Sequence, residues 1–266
     1  MTEVSKVVTD EFTMPYFKFG TGDKKLVIIP GLSIQSVMGA ANTVAAEYHL
    51  MENDFTVYVF DRRETVPEHY SIYDMANDTA TAIKKLGLAD VSIFGASQGG
   101  MIAMVIAIEY PELVNKLVLG STSAHIMDAQ AVVLDKWIEL ARKKDARSLY
   151  QSFAKELYPA EVYADYEEYF NDVSNSVTSA ELDKFVIMAS AIKGFDISKD
   201  LKKIKCPTLA IGVYEDAVLD SDATMEIAEN LDYRPDFKLF MYIGYGHAAF
   251  DTAPDYKQKL YDFLMK

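Results

Sequence analysis

The chain has 266 residues, half of them hydrophobic, which is enough for one large α/β domain with a full core and an inserted subdomain. Its formal net charge of −14 is spread along the sequence and repels phosphate backbones, which excludes nucleic acid as an expected partner. One cysteine, Cys206, excludes an intrachain disulfide and suits a reducing cytosol.

The first eleven residues are polar and carry no secretory signal, and the longest apolar run, over 101–108, is far too short to span a bilayer. A cytoplasmic protein without a membrane partner is therefore expected, as a monomer or a homodimer. Residues 12–19 read as an early strand, closed by the turn Gly20-Thr21-Gly22-Asp23. A short buried strand over 25–29 ends at Pro30-Gly31. A helix is expected over 36–49, a strand over 55–60, and a polar loop over 61–70. The helix over 72–86 places Ile72, Met75, Ala76, Ile83 and Leu86 on one apolar stripe, interrupted by Thr79.

Val91-Ser92-Ile93-Phe94 reads as a buried strand, and residues 100–108, apolar all round, read as a buried helix. A strand over 116–120 follows. The rhythm then changes. Residues 125–201 show no strand pattern but fit helices over 129–143, 146–157, 160–175 and 179–194. Strand character returns over 207–212 and 238–242, with helices over 223–230 and 254–263. Alternating strands and helices imply a parallel sheet covered on both faces. The all-helical stretch reads as an insertion over the carboxyl edge of that sheet. The expected division is a core of residues 1–124 and 201–266 and a helical cap of residues 125–200, with no internal repeat.

Gly95-Ala96-Ser97-Gln98-Gly99 lies between a strand and a helix. A serine on so tight a turn is forced outward, and the turn needs small neighbours two residues away on either side. A plain glycine-rich turn is the bland alternative. A nucleotide-binding turn is disfavoured, because the G-x-G-x-x-G spacing and the lysine of a P-loop are missing. A serine hydroxyl needs a base. His247, in Gly244-Tyr245-Gly246-His247 just past the last strand, reaches the same sheet edge as Ser97. His49 reads as a surface residue, His69 as solvated, and His125 as bordering the pocket.

The imidazole in turn needs a carboxylate. The loop after the strand over 207–212 offers Asp216, with Glu215 and Asp220 as alternatives. Two backbone N–H groups are expected to hold the oxyanion. One is that of Gln98, at the head of a helix, and the other that of Leu32, after Pro30-Gly31. There is no H-E-x-x-H and no cysteine–histidine cluster, so neither metal nor cofactor is expected.

The order Ser97, Asp216, His247 resembles that of the α/β-hydrolase superfamily from about residue 26 to the C-terminus. The matching pieces are Pro30-Gly31-Leu32, Asp61-Arg62-Arg63, Gly95-Ala96-Ser97-Gln98-Gly99-Gly100, residues 212–216 and Gly246-His247. The resemblance implies an eight-stranded, mostly parallel sheet, a helical cap and hydrolysis through an acyl-enzyme. The chain departs from the family at Pro30, where many relatives carry histidine, and at Glu64, where many carry glycine. Serine at position 97 argues against the haloalkane and epoxide hydrolases of this fold, which use aspartate.

The insertion is rich in aromatic residues, and Tyr150 and Met188 are expected to line the pocket with His125. The expected partner is a small or medium, partly apolar acyl compound: a carboxylic ester, lactone or thioester. Cleavage of a C–C bond, perhydrolysis by the same three residues, and a ligand-binding protein without turnover are the alternatives.

Overall fold

The computed structural model describes residues 2–266. Eight strands form one sheet: β1 (Val4–Val8), β2 (Thr13–Phe19), β3 (Lys24–Ile29), β4 (Phe55–Phe60), β5 (Val91–Ala96), β6 (Val114–Gly120), β7 (Thr208–Val213) and β8 (Phe237–Tyr242). Their order across the sheet is β1-β2-β4-β3-β5-β6-β7-β8. β1 and β2 are antiparallel to their neighbours, and every later pairing is parallel. This is the eight-stranded, mostly parallel sheet that the resemblance implies.

Helices fill the intervals: α1 (Ala41–Glu47), α2 (Ile72–Lys85), α3 (Gln98–Glu109), α4 (Asp128–Arg142), α5 (Ala146–Leu157), α6 (Ala160–Ser174), α7 (Ser179–Lys193), α8 (Asp220–Leu231), α9 (Ala249–Thr252) and α10 (Tyr256–Met265). The central strands β5 and β7 are buried at every position, as strands covered on both faces must be. Successive side chains of β3 enter different cores. Val27 and Ile29 join a core with α2, α3 and α8, and Leu26 and Ile28 join one with α10. α3 is apolar all round because it packs against the sheet, α2 and the turn before β7.

Four helices, α4 to α7, occupy the interval between β6 and β7. The chain leaves and re-enters the sheet through an antiparallel bridge between His125 and Asp196, beside a bond from Ile197 N–H to the Ala124 carbonyl at 2.8 Å. Capping residues set where these helices start. Asp145 accepts from the Ser148 N–H at the head of α5, and Thr178 and Glu181 form a reciprocal box at the head of α7.

Two expectations differ from the fold. β1 buries a single residue, Val7, and leaves Val4 and Val8 exposed, so its pairing left no alternating apolar pattern to read. The helix expected over 36–49 is broken into a 3₁₀ turn at Val37–Ala40, α1, and a second 3₁₀ turn at His49–Met51. α1 has no side-chain cap at its head, and its only buried residue is Ala41, so packing does not hold a longer helix there. No helix among the described residues is long and apolar enough to cross a membrane.

Candidate active site

The turn between β5 and α3 puts Ser97 at φ 52°, ψ −121°, a conformation that costs a non-glycine residue on the order of 1–3 kcal/mol. Its neighbours hold it there. The Ser97 N–H donates to the Gly120 carbonyl at 2.8 Å, and the Thr122 hydroxyl donates to the Ser97 carbonyl at 2.7 Å. The two flanking glycines are required by contact. A Cβ on Gly99 would lie 1.9 Å from the Ile29 carbonyl oxygen, and one on Gly95 would lie 2.3 Å from that of Gly99. Strand, turn and helix are packed backbone to backbone, and the serine side chain can only point outward.

His247 follows β8, on a loop bent by Gly244 and Gly246, both at positive φ. The loop is fastened to the end of α5 by a bond from the Ala248 N–H to the Leu157 carbonyl at 3.0 Å. The imidazole is 1% exposed, and its Nδ1 lies 2.8 Å from Asp216 Oδ2 and 2.9 Å from Oδ1. Asp216 is itself held by the N–H groups of Val218 and Leu219, which both donate to Oδ1 at 2.9 Å. A carboxylate accepts only, so Nδ1 carries the proton and Nε2 keeps its lone pair.

The alternative acids stand elsewhere. Glu215 accepts from the Gly244 N–H at 2.8 Å and braces the histidine loop from outside. Asp220 opens α8 and accepts from the Ser221 hydroxyl at 3.2 Å.

Ser97 and His247 open onto one cavity of about 760 Å³, within the range of small-molecule sites. No hydrogen bond joins the Ser97 hydroxyl to the imidazole, a contact that characteristically tightens when substrate binds. Leu32 lines the same cavity. The loop that carries it runs against the serine, since a Cβ on Gly31 would lie 3.2 Å from that of Ser97. Gln98 begins α3, where the first backbone N–H groups have no partner within the helix.

The three expected pocket residues separate. Tyr150 lines the cavity, and its hydroxyl donates to Gln35 Oε1 at 2.9 Å. Met188 does not line it. The side chain of Met188 is buried in the core, and its carbonyl accepts from Gln98 Nε2 at 2.8 Å. His125 does not line it either. Its Nδ1 pairs with Glu226 Oε2 at 2.8 Å, beside a separate hollow between the segment after β6 and α8. The Glu226 carboxylate on α8 holds the ring at that hollow.

Two further groups belong to the site. Arg62 is 2% exposed, and its Nη2 donates to the Pro30 carbonyl at 2.7 Å and to Gln98 Oε1 at 3.0 Å. One guanidinium thus ties the Leu32 loop to the residue after the serine, and Gln98 passes the tie to α7. Burial pushes the Arg62 pKa down, against the opposing pull of Asp61. The second group is Asp251, on the cavity wall four residues after His247. Aromatic side chains roof the cavity, with the rings of Trp137 and Phe153 4.6 Å apart. No cluster of three or more metal-ligating side chains occurs among the described residues.

A family model described as the alpha/beta hydrolase fold matches residues 26–254. A protein of Rhizobium rhizogenes named as a proposed carbamate hydrolase, RutD, is 26% identical over 78% of this chain and 80% of its own length. Among solved structures, MGS-M2, an alpha/beta hydrolase enzyme from a deep-sea metagenome library of the Medee basin, superposes with a TM-score of 0.87 at 21% identity, covering 98% of each chain. The enol-lactonase of Burkholderia xenovorans superposes with a TM-score of 0.84 at 17% identity, over 98% of this chain and 100% of its own.

Proposed function

The chain belongs to the alpha/beta hydrolase fold family, and from that premise we propose that it is a serine hydrolase cleaving a carboxylic ester, lactone or thioester. The observation that carries the reading is the buried His247–Asp216 pair, 2.8 Å apart and opening onto the cavity that Ser97 also lines. Asp216 fixes the tautomer of His247 and stabilises its charged form. Nε2 takes the proton from the Ser97 hydroxyl as that oxygen attacks the carbonyl carbon. The N–H groups of Leu32 and Gln98 receive the oxyanion, helped by the positive end of the α3 dipole. The protonated imidazole then gives its proton to the leaving group. Water, activated by His247 in turn, releases the acid from the acyl-enzyme.

Residues 125–200 act in this reading as a cap on a core of residues 1–124 and 201–266. The cap supplies the apolar roof that takes a small or medium acyl group. Ser97→Ala is expected to lower hydrolysis of 4-nitrophenyl butyrate by at least about 10³-fold, as loss of the nucleophile does in enzymes of this logic. Turnover close to the parent's would refute the assignment. Labelling of the folded protein at Ser97 by a fluorophosphonate separates an enzyme from a binding protein of the same fold.

A carbamate is a second reading, favoured by the name of the Rhizobium relative. The same attack on a carbonyl carbon would serve. Matched phenyl butyrate and phenyl N-ethylcarbamate substrates rank the two by kcat/KM.

A further inference from the structure

The charges on the cavity wall bear on which acyl groups the proposed hydrolase takes, and the inference rests on that reading of the site. Two carboxylates, Glu181 and Asp251, line the cavity, and no lysine or arginine does. Glu181 is occupied at the head of α7, where its Oε2 accepts from the N–H and the hydroxyl of Thr178 at 2.8 Å each. Asp251 opens onto the cavity, and its Oδ2 accepts from the Tyr158 hydroxyl at 3.0 Å.

Lys257 lies outside the cavity lining and pairs with Glu47 at 3.2 Å. A substrate carboxylate brought to this wall would give up water with no lysine or arginine in the lining to offset the loss, and would meet Asp251 as a like charge. An uncharged chain gains instead from burial against Trp137 and Phe153.

We propose that the cavity selects acyl groups without a negative charge, and that Asp251 is the specificity-determining residue that turns away a free carboxylate. The test compares 4-nitrophenyl hexanoate with the mono-4-nitrophenyl ester of adipic acid, which differ only in whether the chain ends in methyl or carboxylate. kcat/KM is expected to favour the hexanoate by about 100-fold, and Asp251→Asn to narrow that ratio by about 10-fold, as loss of one repelling charge at short range does. Adding salt narrows the ratio in the parent protein without any substitution.

Binding of the matched ketones heptan-2-one and 6-oxoheptanoate gives a readout that needs no turnover. It is followed by the fluorescence of Trp137, the one tryptophan of the chain, which lines the cavity. The neutral ketone is expected to bind more tightly by a similar factor. Equal preference for the charged and neutral members of both pairs would overturn the proposal, as would a ratio that Asp251→Asn leaves unchanged in folded protein. Ketone discrimination without hydrolysis of either ester would leave charge selection standing and remove the hydrolase reading instead.

Discussion

At the scale of single residues, the three carboxylates after β7 show how burial separates similar side chains. Asp216 is 8% exposed and receives two backbone N–H groups and the imidazole, so its oxygens are fully used in holding one ring. Glu215 takes a single backbone N–H, that of Gly244, at the surface. Asp216→Asn presents His247 with a group of the same shape that can donate, which favours the wrong tautomer. It is expected to lower kcat by about 10⁴-fold. Glu215→Gln keeps an acceptor for Gly244 and is expected to lower kcat by no more than about 10-fold, the scale of one exposed hydrogen bond. Steady-state kinetics on one ester compares them, and a larger loss for Glu215→Gln would reverse the roles.

At the scale of elements, the crossing of β3, β5 and α3 is the tightest contact behind the site. Gly99→Ala drives a methyl group into the Ile29 carbonyl, where no flexible side chain can give way. A cost at or above the upper end of core overpacking, about 3 kcal/mol, is expected. Thermal unfolding of the variant measures it, and an unchanged Tm would contradict the contact.

This crossing was legible in the sequence, because the spacing of Gly95, Ser97 and Gly99 between apolar runs has few other physical uses. The helices α4 to α7 were legible because residues 125–201 show no strand pattern. The sequence did not reveal β1, an edge strand that buries Val7 alone, nor the breaks around α1. It placed His125 and Met188 at the pocket because their neighbours in the chain lead there. What decides their places is contact far away in sequence: Glu226 pairs with His125, and the Met188 side chain packs into the core. Arg62 stood within a recognised motif, yet its bonds to Pro30 and Gln98 depend on three segments meeting. Asp251 carried no local signal at all.

At the scale of the whole molecule, a net charge of −14 at pH 7 makes the folded state repel itself more strongly as pH rises above the sequence pI of about 4.7. One buried group contributes a part that can be isolated. Burial raises the Asp78 pKa above its ordinary value, although the Tyr70 hydroxyl donates to its Oδ2 at 2.7 Å and Arg63 lies 3.4 Å away. Above the unfolded pKa, near 4, the folded state therefore holds more of this proton than the unfolded chain does. Stability falls as pH rises from there through the folded pKa and is level beyond it. Asp78→Asn is neutral throughout and carries no such term. The Tm of the variant relative to the parent is therefore expected to rise between pH 4 and pH 8, whatever its offset at pH 4. General self-repulsion is nearly common to both proteins and cancels in the difference. A Tm difference that falls over that interval would mean that Arg63 and Tyr70 outweigh burial at Asp78.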